Sequence, residues 1–251
     1  MKLYPYLAVA FAALMSGAPH ASGAEVKNIV IVHGAFADSS GWRAASDLLV
    51  KQGFNVTLVQ NPLTSLQDDV VATQRVLDMQ SGPSLLVGHS YGGMVITAAG
   101  KHADVRGLVY VAAFQPDTGE SLLTLATRTP PAGTGIKATG DGQFLYLDPA
   151  VFAAEFAADL PPEEAAFMAR SQVLASKQAF GTPVDDPAWK HKPTWAIVAT
   201  EDKSINPELE RTMAKRAGSK VTEIKGSHAI FMSQPEKVAE TIAAAARSLK
   251  P

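Results

Sequence analysis

Short apolar runs alternate along this chain with longer stretches in which apolar residues recur every three or four positions. The runs Lys27 to Val32, Phe54 to Val59, Ser84 to Val87, Gly107 to Ala113, Trp195 to Ala199 and Val221 to Ile224 are rich in Val, Ile, Leu and Ala, and they predict buried strands. Between them, helical spacing predicts helices from Ser39 or Ser40 to Gln52, from Ser65 to Met79, from Gly93 through Ala99, from Pro207 to Ala217 and from Pro235 to Leu249. Leu66, Val70, Thr73 and Leu77 form the buried stripe of the second, and Pro235 stands in the first turn of the last. Strands that are apolar almost throughout, separated by helices, imply an α/β fold: a mostly parallel sheet of about six strands, covered on both faces.

The alternation lapses between Phe114 and Lys192, where no strand is evident. This segment carries Pro130-Pro131 and Pro161-Pro162, an Ala-rich helix from Pro149 to Ala158 and a second helix from Pro162 to Ser176. An insertion that leaves after one strand and returns before the next lies over the carboxyl ends of the strands, where sites form in open α/β sheets. Residues 114–192 therefore read as a helical cap on a single domain spanning 25–251. The first 24 residues read differently. Lys2 precedes the apolar stretch Leu7 to Met15, and Ser22-Gly23-Ala24 supplies small residues for cleavage, so 1–24 reads as a signal peptide and the protein as periplasmic or secreted.

Composition narrows the function by exclusion. Hydrophobic residues make up 47% of the 251 and charged residues 18%, as in an ordinary globular enzyme. A formal net charge of −2 gives no electrostatic reason to expect nucleic acid or an anionic membrane as partner. Cysteine is absent, which excludes disulfides and a cysteine-borne lipid anchor. No metal-spaced His/Cys set or Gly-rich phosphate loop is present, so neither metal nor organic cofactor is expected.

The chemistry lies in Gly88-His89-Ser90-Tyr91-Gly92, at the corner between a predicted strand and a predicted helix. Gly-x-Ser-x-Gly in that setting is a nucleophile elbow: small residues let strand and helix pass closely, and the Ser90 hydroxyl stands above the sheet edge at the helix N-terminus. A serine hydroxyl needs a base, and the base needs a carboxylate to orient it. Of six histidines, His20 belongs to the signal segment, His102 and His191 sit in polar stretches without a motif, and His33 reads as a loop brace. His89 neighbours Ser90 and so points to the opposite face of the strand. His228, in Gly226-Ser227-His228 between the last strand and the last helix, is the expected base. Asp202, directly after the strand Trp195 to Ala199, is the expected acid, with Glu201 and Asp117 as alternatives. The backbone amides of Ala35 and Tyr91 are the expected oxyanion donors, and Phe36 is expected to wall the substrate pocket.

These motifs resemble the α/β-hydrolase superfamily over nearly the whole chain after residue 24. Within it, His33-Gly34-Ala35-Phe36 with Ser40-Gly41-Trp42, Gly88 to Gly93, and Thr200-Glu201-Asp202 with Gly226-Ser227-His228 look most like the plant methylesterase and hydroxynitrile lyase family and its bacterial esterase relatives. In the lyases a lysine follows the catalytic histidine and threonine commonly stands at the position of Gly34; here the residues are Ala229 and Gly34. The resemblance therefore implies a serine carboxylesterase acting on a small-molecule ester, ahead of lyase or haloperoxidase-like chemistry or a non-catalytic binding protein on the same scaffold. Phe144, Phe152, Phe156, Phe167 and Met168 are the candidate pocket residues of the cap.

Overall fold

The computed structural model describes residues 25–249. Its strands, in chain order, are β1 (Asn28–Val32), β2 (Asn55–Val59), β3 (Ser84–Ser90), β4 (Val105–Ala113), β5 (Ile136–Ala138), β6 (Phe144–Leu147), β7 (Ala175–Ser176), β8 (Thr194–Ala199) and β9 (Lys220–Ile224). Six of these form a parallel sheet in the order β2-β1-β3-β4-β8-β9. Strands β1, β3 and β8 are buried at every position, and their largely apolar sequences fit a sheet covered on both faces. At the two edges, β2 and β9 carry Asn55, Thr57, Lys220, Thr222 and Glu223 toward solvent, polar residues that discourage pairing with another chain.

The helices are α1 (Arg43–Lys51), α2 (Leu66–Asp78), α3 (Gly92–Ala99), α4 (Leu122–Arg128), α5 (Pro149–Phe156), α6 (Pro162–Ser171), α7 (Lys177–Gly181), α8 (Pro207–Arg216), α9 (Ile230–Ser233) and α10 (Pro235–Ser248). Right-handed crossovers place α1, which returns the chain from β1 to β2, on the face opposite α2 and α3, which carry it the other way. Accordingly α1 packs on α10, and α2 packs on α3. The strand order reverses between β1 and β3, and a crevice opens at that switch point beyond the carboxyl ends of both. Val32 pairs with Gly88, so the loop after β1 and the corner after β3 emerge side by side.

The segment between β4 and β8 differs from its expected form. It contains an antiparallel sheet, β5-β6-β7, where no strand was expected, and two further helices, α4 and α7. Strands of two to four residues are too short for a period-2 pattern to register. Helix α6 stops at Ser171 instead of continuing to Ser176. Gln172 turns its side chain onto β6, accepting from the Leu147 amide and donating to the Leu147 carbonyl at 2.9 Å each, and Ala175–Ser176 then pairs with β6. The first predicted helix divides into a 3-10 turn at Ser39–Trp42, capped by the Asp38 side chain, followed by α1. The expected signal segment 1–24 lies outside the described residues.

The corner at the end of β3 is as tight as backbone contact allows. A Cβ on Gly92 would stand 2.5 Å from the Val32 carbonyl oxygen and 2.9 Å from that of His33. Neither acceptor is a movable side chain. Gly92→Ala should therefore cost about 3 kcal/mol or more, or abolish folding, whereas Gly181→Ala, with open space around it, should change stability by less than about 1 kcal/mol. Urea unfolding of the two variants checks this, and equal effects would count against the close crossing.

Candidate active site

Ser90 ends β3 with φ at 54°, the left-handed region that a residue with a side chain enters only under constraint. That conformation lifts its hydroxyl out of the strand and starts α3 directly behind it. The Ser90 Oγ lies 2.8 Å from His228 Nε2, and His228 Nδ1 lies 2.6 Å from Asp202 Oδ2. The second oxygen of Asp202 accepts from the amides of Ser204 at 2.7 Å and Ile205 at 2.9 Å. With Oδ1 occupied by two amides, the carboxylate is held as an acceptor on both oxygens, so His228 Nδ1 carries the proton and Nε2 is free to accept from Ser90. The side chains of His228 and Asp202 are almost completely buried, which strengthens their interaction by excluding water.

The other carboxylates lie elsewhere. Glu201 is exposed and 3.5 Å from Lys225. Asp117 pairs with Lys190 at 2.7 Å, and that partner holds its carboxyl below the ordinary range. Neither bonds to His228.

The loop after β1 lies against the serine. A Cβ on Gly34 would come within 2.7 Å of Ser90 Cβ, so in this chain a larger residue would force the loop to shift away from Ser90. Ala35 follows and shares a cavity with Ser90 and His228. The amides of Ala35 and Tyr91 donate to none of the loop and turn acceptors around them. Phe36 also lines the cavity, and its backbone, like that of Ser90, is left-handed, with φ at 60°.

Two histidines outside the hydrogen-bonded chain support it. His33 Nε2 accepts from the Asn61 amide at 2.9 Å, which leaves the proton on Nδ1 to bond the Gly34 carbonyl at 2.8 Å. Burial lowers its pKa, so the ring stays neutral. His89 is fully buried, and its Nε2 donates to the His228 carbonyl at 3.0 Å, with the two rings 4.7 Å apart. Burial, and next the proximity of His228, hold His89 well below the ordinary histidine value. Strand alternation predicts that His89 faces away from Ser90, yet the register with β4 shifts between these two residues. That irregularity lets a neighbour of Ser90 reach the backbone of His228.

Two buried carboxyls had no signal in the motif pattern. Asp69, on α2, accepts from the Tyr91 hydroxyl at 2.6 Å and from the Leu63 amide at 2.8 Å. Burial pushes its pKa up to about 6 against these bonds. It anchors the residue that follows Ser90. Glu210, on α8, is buried against Asp202; burial first, and then the Asp202 charge, raise its pKa well above the ordinary value. Its place three and four residues before Met213 and Ala214, on the buried face of α8, is the sequence feature that could have flagged it.

A small cavity of about 70 Å³ lies above Ser90. Ala35, Phe36 and Phe114 line it from the sheet side, and Leu122, Ile136, Leu147, Phe156 and Phe180 from the insertion. Of the five expected cap residues, only Phe156 is among them. Phe152 is wholly buried and stacks behind Phe156 at 5.0 Å, and Phe144 is half-buried in the small sheet. Phe167 and Met168 line a separate groove with Phe231 and Met232. Hydrophobicity alone does not distinguish a cavity wall from the core behind it. Among the described residues no group of three or more His, Asp or Glu side chains could hold a metal ion.

The sequence profile of the alpha/beta hydrolase family matches residues 29–241, and the chain belongs to that family. It is similar to a pyrethroid hydrolase of Sphingobium wenxiniae, 29% identical with 87% of each chain covered. It is also similar to an alpha-hydroxynitrile lyase of Arabidopsis thaliana, 26% identical over 87% of this chain and 96% of the relative. A carbendazim-hydrolyzing esterase of a Nocardioides species is 31% identical, over 48% of this chain and 56% of the relative. Among solved structures, a pyrethroid hydrolase of Sphingobium faniae superposes with a TM-score of 0.77 at 25% identity, covering 88% of this chain and 97% of that one.

The raised pKa of Asp69 has a direct consequence for stability. Between the ordinary value of 3.8 and about 6, the folded chain keeps a proton that the unfolded chain has released. Raising the pH through that window therefore removes stability. Asp69→Asn does not titrate, so its stability relative to the native chain should improve by up to about 3 kcal/mol between about pH 4 and pH 7. Urea unfolding of both proteins across this range checks the sign; a constant difference would refute the shift.

Proposed function

We propose that this protein is a serine carboxylesterase that cleaves small, largely apolar carboxylic esters through an acyl-enzyme. The observation that carries this reading is the unbroken chain of hydrogen bonds from Ser90 through His228 to Asp202, beneath an apolar cavity. His228 Nε2 takes the Ser90 proton as Oγ attacks the ester carbonyl, and Asp202 stabilises the imidazolium that forms. The amides of Ala35 and Tyr91, free of loop acceptors, receive the negative charge on the carbonyl oxygen. His228 then protonates the departing alcohol. A water molecule activated by the same nitrogen releases the acid and restores Ser90. Neither metal nor organic cofactor enters this sequence.

Several features support the ester as substrate. The family and the esterases among the relatives make hydrolysis the natural reaction. The residue after His228 is Ala229, fully buried, so that position itself carries no charge for a cyanide leaving group. The cavity walls, which include Phe36, Phe114, Phe156 and Phe180, favour apolar acyl or alcohol groups. Export to the periplasm or beyond belongs to the same proposal and rests on the sequence of residues 1–24.

Hydrolysis of p-nitrophenyl acetate, with a burst of p-nitrophenol equal to the enzyme present, tests the reaction directly. Ser90→Ala should lower kcat on the order of a million-fold while leaving the circular dichroism unchanged. Retention of more than a few per cent of the rate would rule out Ser90.

The acid is tested by three amide substitutions. Asp202→Asn should cost on the order of 10⁴-fold, since an amide at that position favours the wrong histidine tautomer. Glu201→Gln and Asp117→Asn, whose carboxylates pair with surface lysines, should leave kcat within about threefold of the native value. A reversed ranking would reassign the acid.

A further inference from the structure

The insertion meets the loop that carries Asp202 through Gly133, whose amide donates to the Lys203 carbonyl at 2.7 Å, and it meets the loops of both Asp202 and His228 at the carboxyl end of α5 and the turn that follows it. The last carbonyls of a helix have no acceptor role inside it. Here the Glu155 carbonyl accepts from the Ser204 hydroxyl at 2.9 Å, and the Phe156 carbonyl accepts from the Ala229 amide at 2.9 Å. Ser204 is also one of the two residues whose amides bond Asp202, and Ala229 directly follows His228. Three residues beyond α5, Asp159 extends this grip. Its Oδ1 accepts from the Ser227 hydroxyl at 2.5 Å. Its Oδ2 accepts from the Ser227 amide at 2.9 Å and from the Ser233 hydroxyl at 2.8 Å.

We infer that Asp159 is a positioning residue for His228: a carboxylate on the insertion that clasps Ser227 and Ser233, on either side of the histidine, and fixes the ring between Ser90 and Asp202. Three donors converge on one carboxylate that touches neither Ser90 nor the cavity wall. Burial opposes its charge, but the hydroxyl and amide of Ser227 and the hydroxyl of Ser233 outweigh this and hold the group below the ordinary range. The Phe156 ring meets the His228 ring edge-on at 4.7 Å, so the same helix end also packs against the imidazole. A Cβ at Gly226 would stand 2.1 Å from Ile230 Cδ1 and 2.9 Å from Asp159 Oδ2, so the loop passes close to the clasp. Through this contact, the element that lines the cavity also sets the alignment of the base.

The kinetic part of this inference rests on the esterase reading; the spectroscopic part does not. Asp159→Ala is compared with the native protein and with Asp159→Asn in two measurements. The first is the low-field proton NMR resonance of His228 Nδ1–H. The second is kcat and KM for p-nitrophenyl esters of increasing chain length, normalised to the sites labelled by a fluorophosphonate. In Asp159→Ala the resonance should broaden or vanish. On every ester alike kcat should fall on the order of ten- to a hundredfold, while KM stays within about twofold of the native value. Asp159→Asn keeps a carbonyl oxygen for Ser227 and should recover most of the rate.

An unchanged resonance together with a native kcat would overturn the inference, as would a loss confined to KM or to long-chain esters. If Asp159→Ala does not fold, Ser233→Ala removes one exposed hydroxyl from the clasp and must give the same pattern in smaller measure; a native resonance and kcat in that variant would overturn the inference equally. If the native protein neither turns over esters nor takes the label, the esterase reading fails, and the resonance alone decides the clasp.

Discussion

The closeness of approach between the first strand and the corner after the third sets the terms for the rest of the site. Gly92 leaves no room for a side chain against the carbonyls of Val32 and His33, and Gly34 leaves none against Ser90. With so little room at both crossings, Ser90 takes a left-handed conformation and α3 begins directly after Tyr91. The amide after Ser90 and the loop of Ala35 are thereby brought close together. Strain of this kind costs on the order of 1–3 kcal/mol per residue. It persists because the apolar strands beneath, buried at every position of β1 and β3, leave the corner no alternative.

Around this point the buried polar groups form a single braced system. His33 ties the β1 loop to Asn61, and Asp69 ties Tyr91 to α2 and to Leu63. His89 ties the β3 corner to the His228 backbone, and two amides hold Asp202. Each buried donor or acceptor left unmet would cost about 1–3 kcal/mol, so these bonds are as necessary to folding as to alignment. Burial is the main reason that charged forms are suppressed at His33, His89 and Glu210. Asp202 is surrounded by two amides and an imidazole, and its charge adds to the burial that raises the pKa of Glu210.

Much of the sheet was legible in the sequence, because strands buried on both faces are apolar almost throughout and the helices between them carry a regular stripe. The corner at Ser90 was legible for a similar reason: the spacing of Gly88, Ser90 and Gly92 is a steric requirement before it is a chemical one. Asp202 could be named from its place after β8, but separating it from Glu201 needed the direction of each side chain, which chain position does not supply. The insertion was the least legible part. Its strands are too short to show a period, and Gln172 replaces a backbone partner with a side chain, which no pattern of hydrophobicity records. The same limit explains why Phe152, Phe156 and Phe167 look alike in the sequence and lie in the core, on the cavity wall and at the surface respectively.

The carbonyls at the end of α5 have an implication for how such a protein can diverge. A main-chain acceptor is present whatever side chain the residue carries. Ser204 and Ala229 are therefore held by parts of α5 that substitution does not remove. The side chains of that helix can be exchanged, Phe156 among them, and the contour of the cavity altered, while the attachment between insertion and sheet survives as long as the helix itself forms. Selection for new substrates and preservation of the reactive geometry thus fall on different atoms of the same residues.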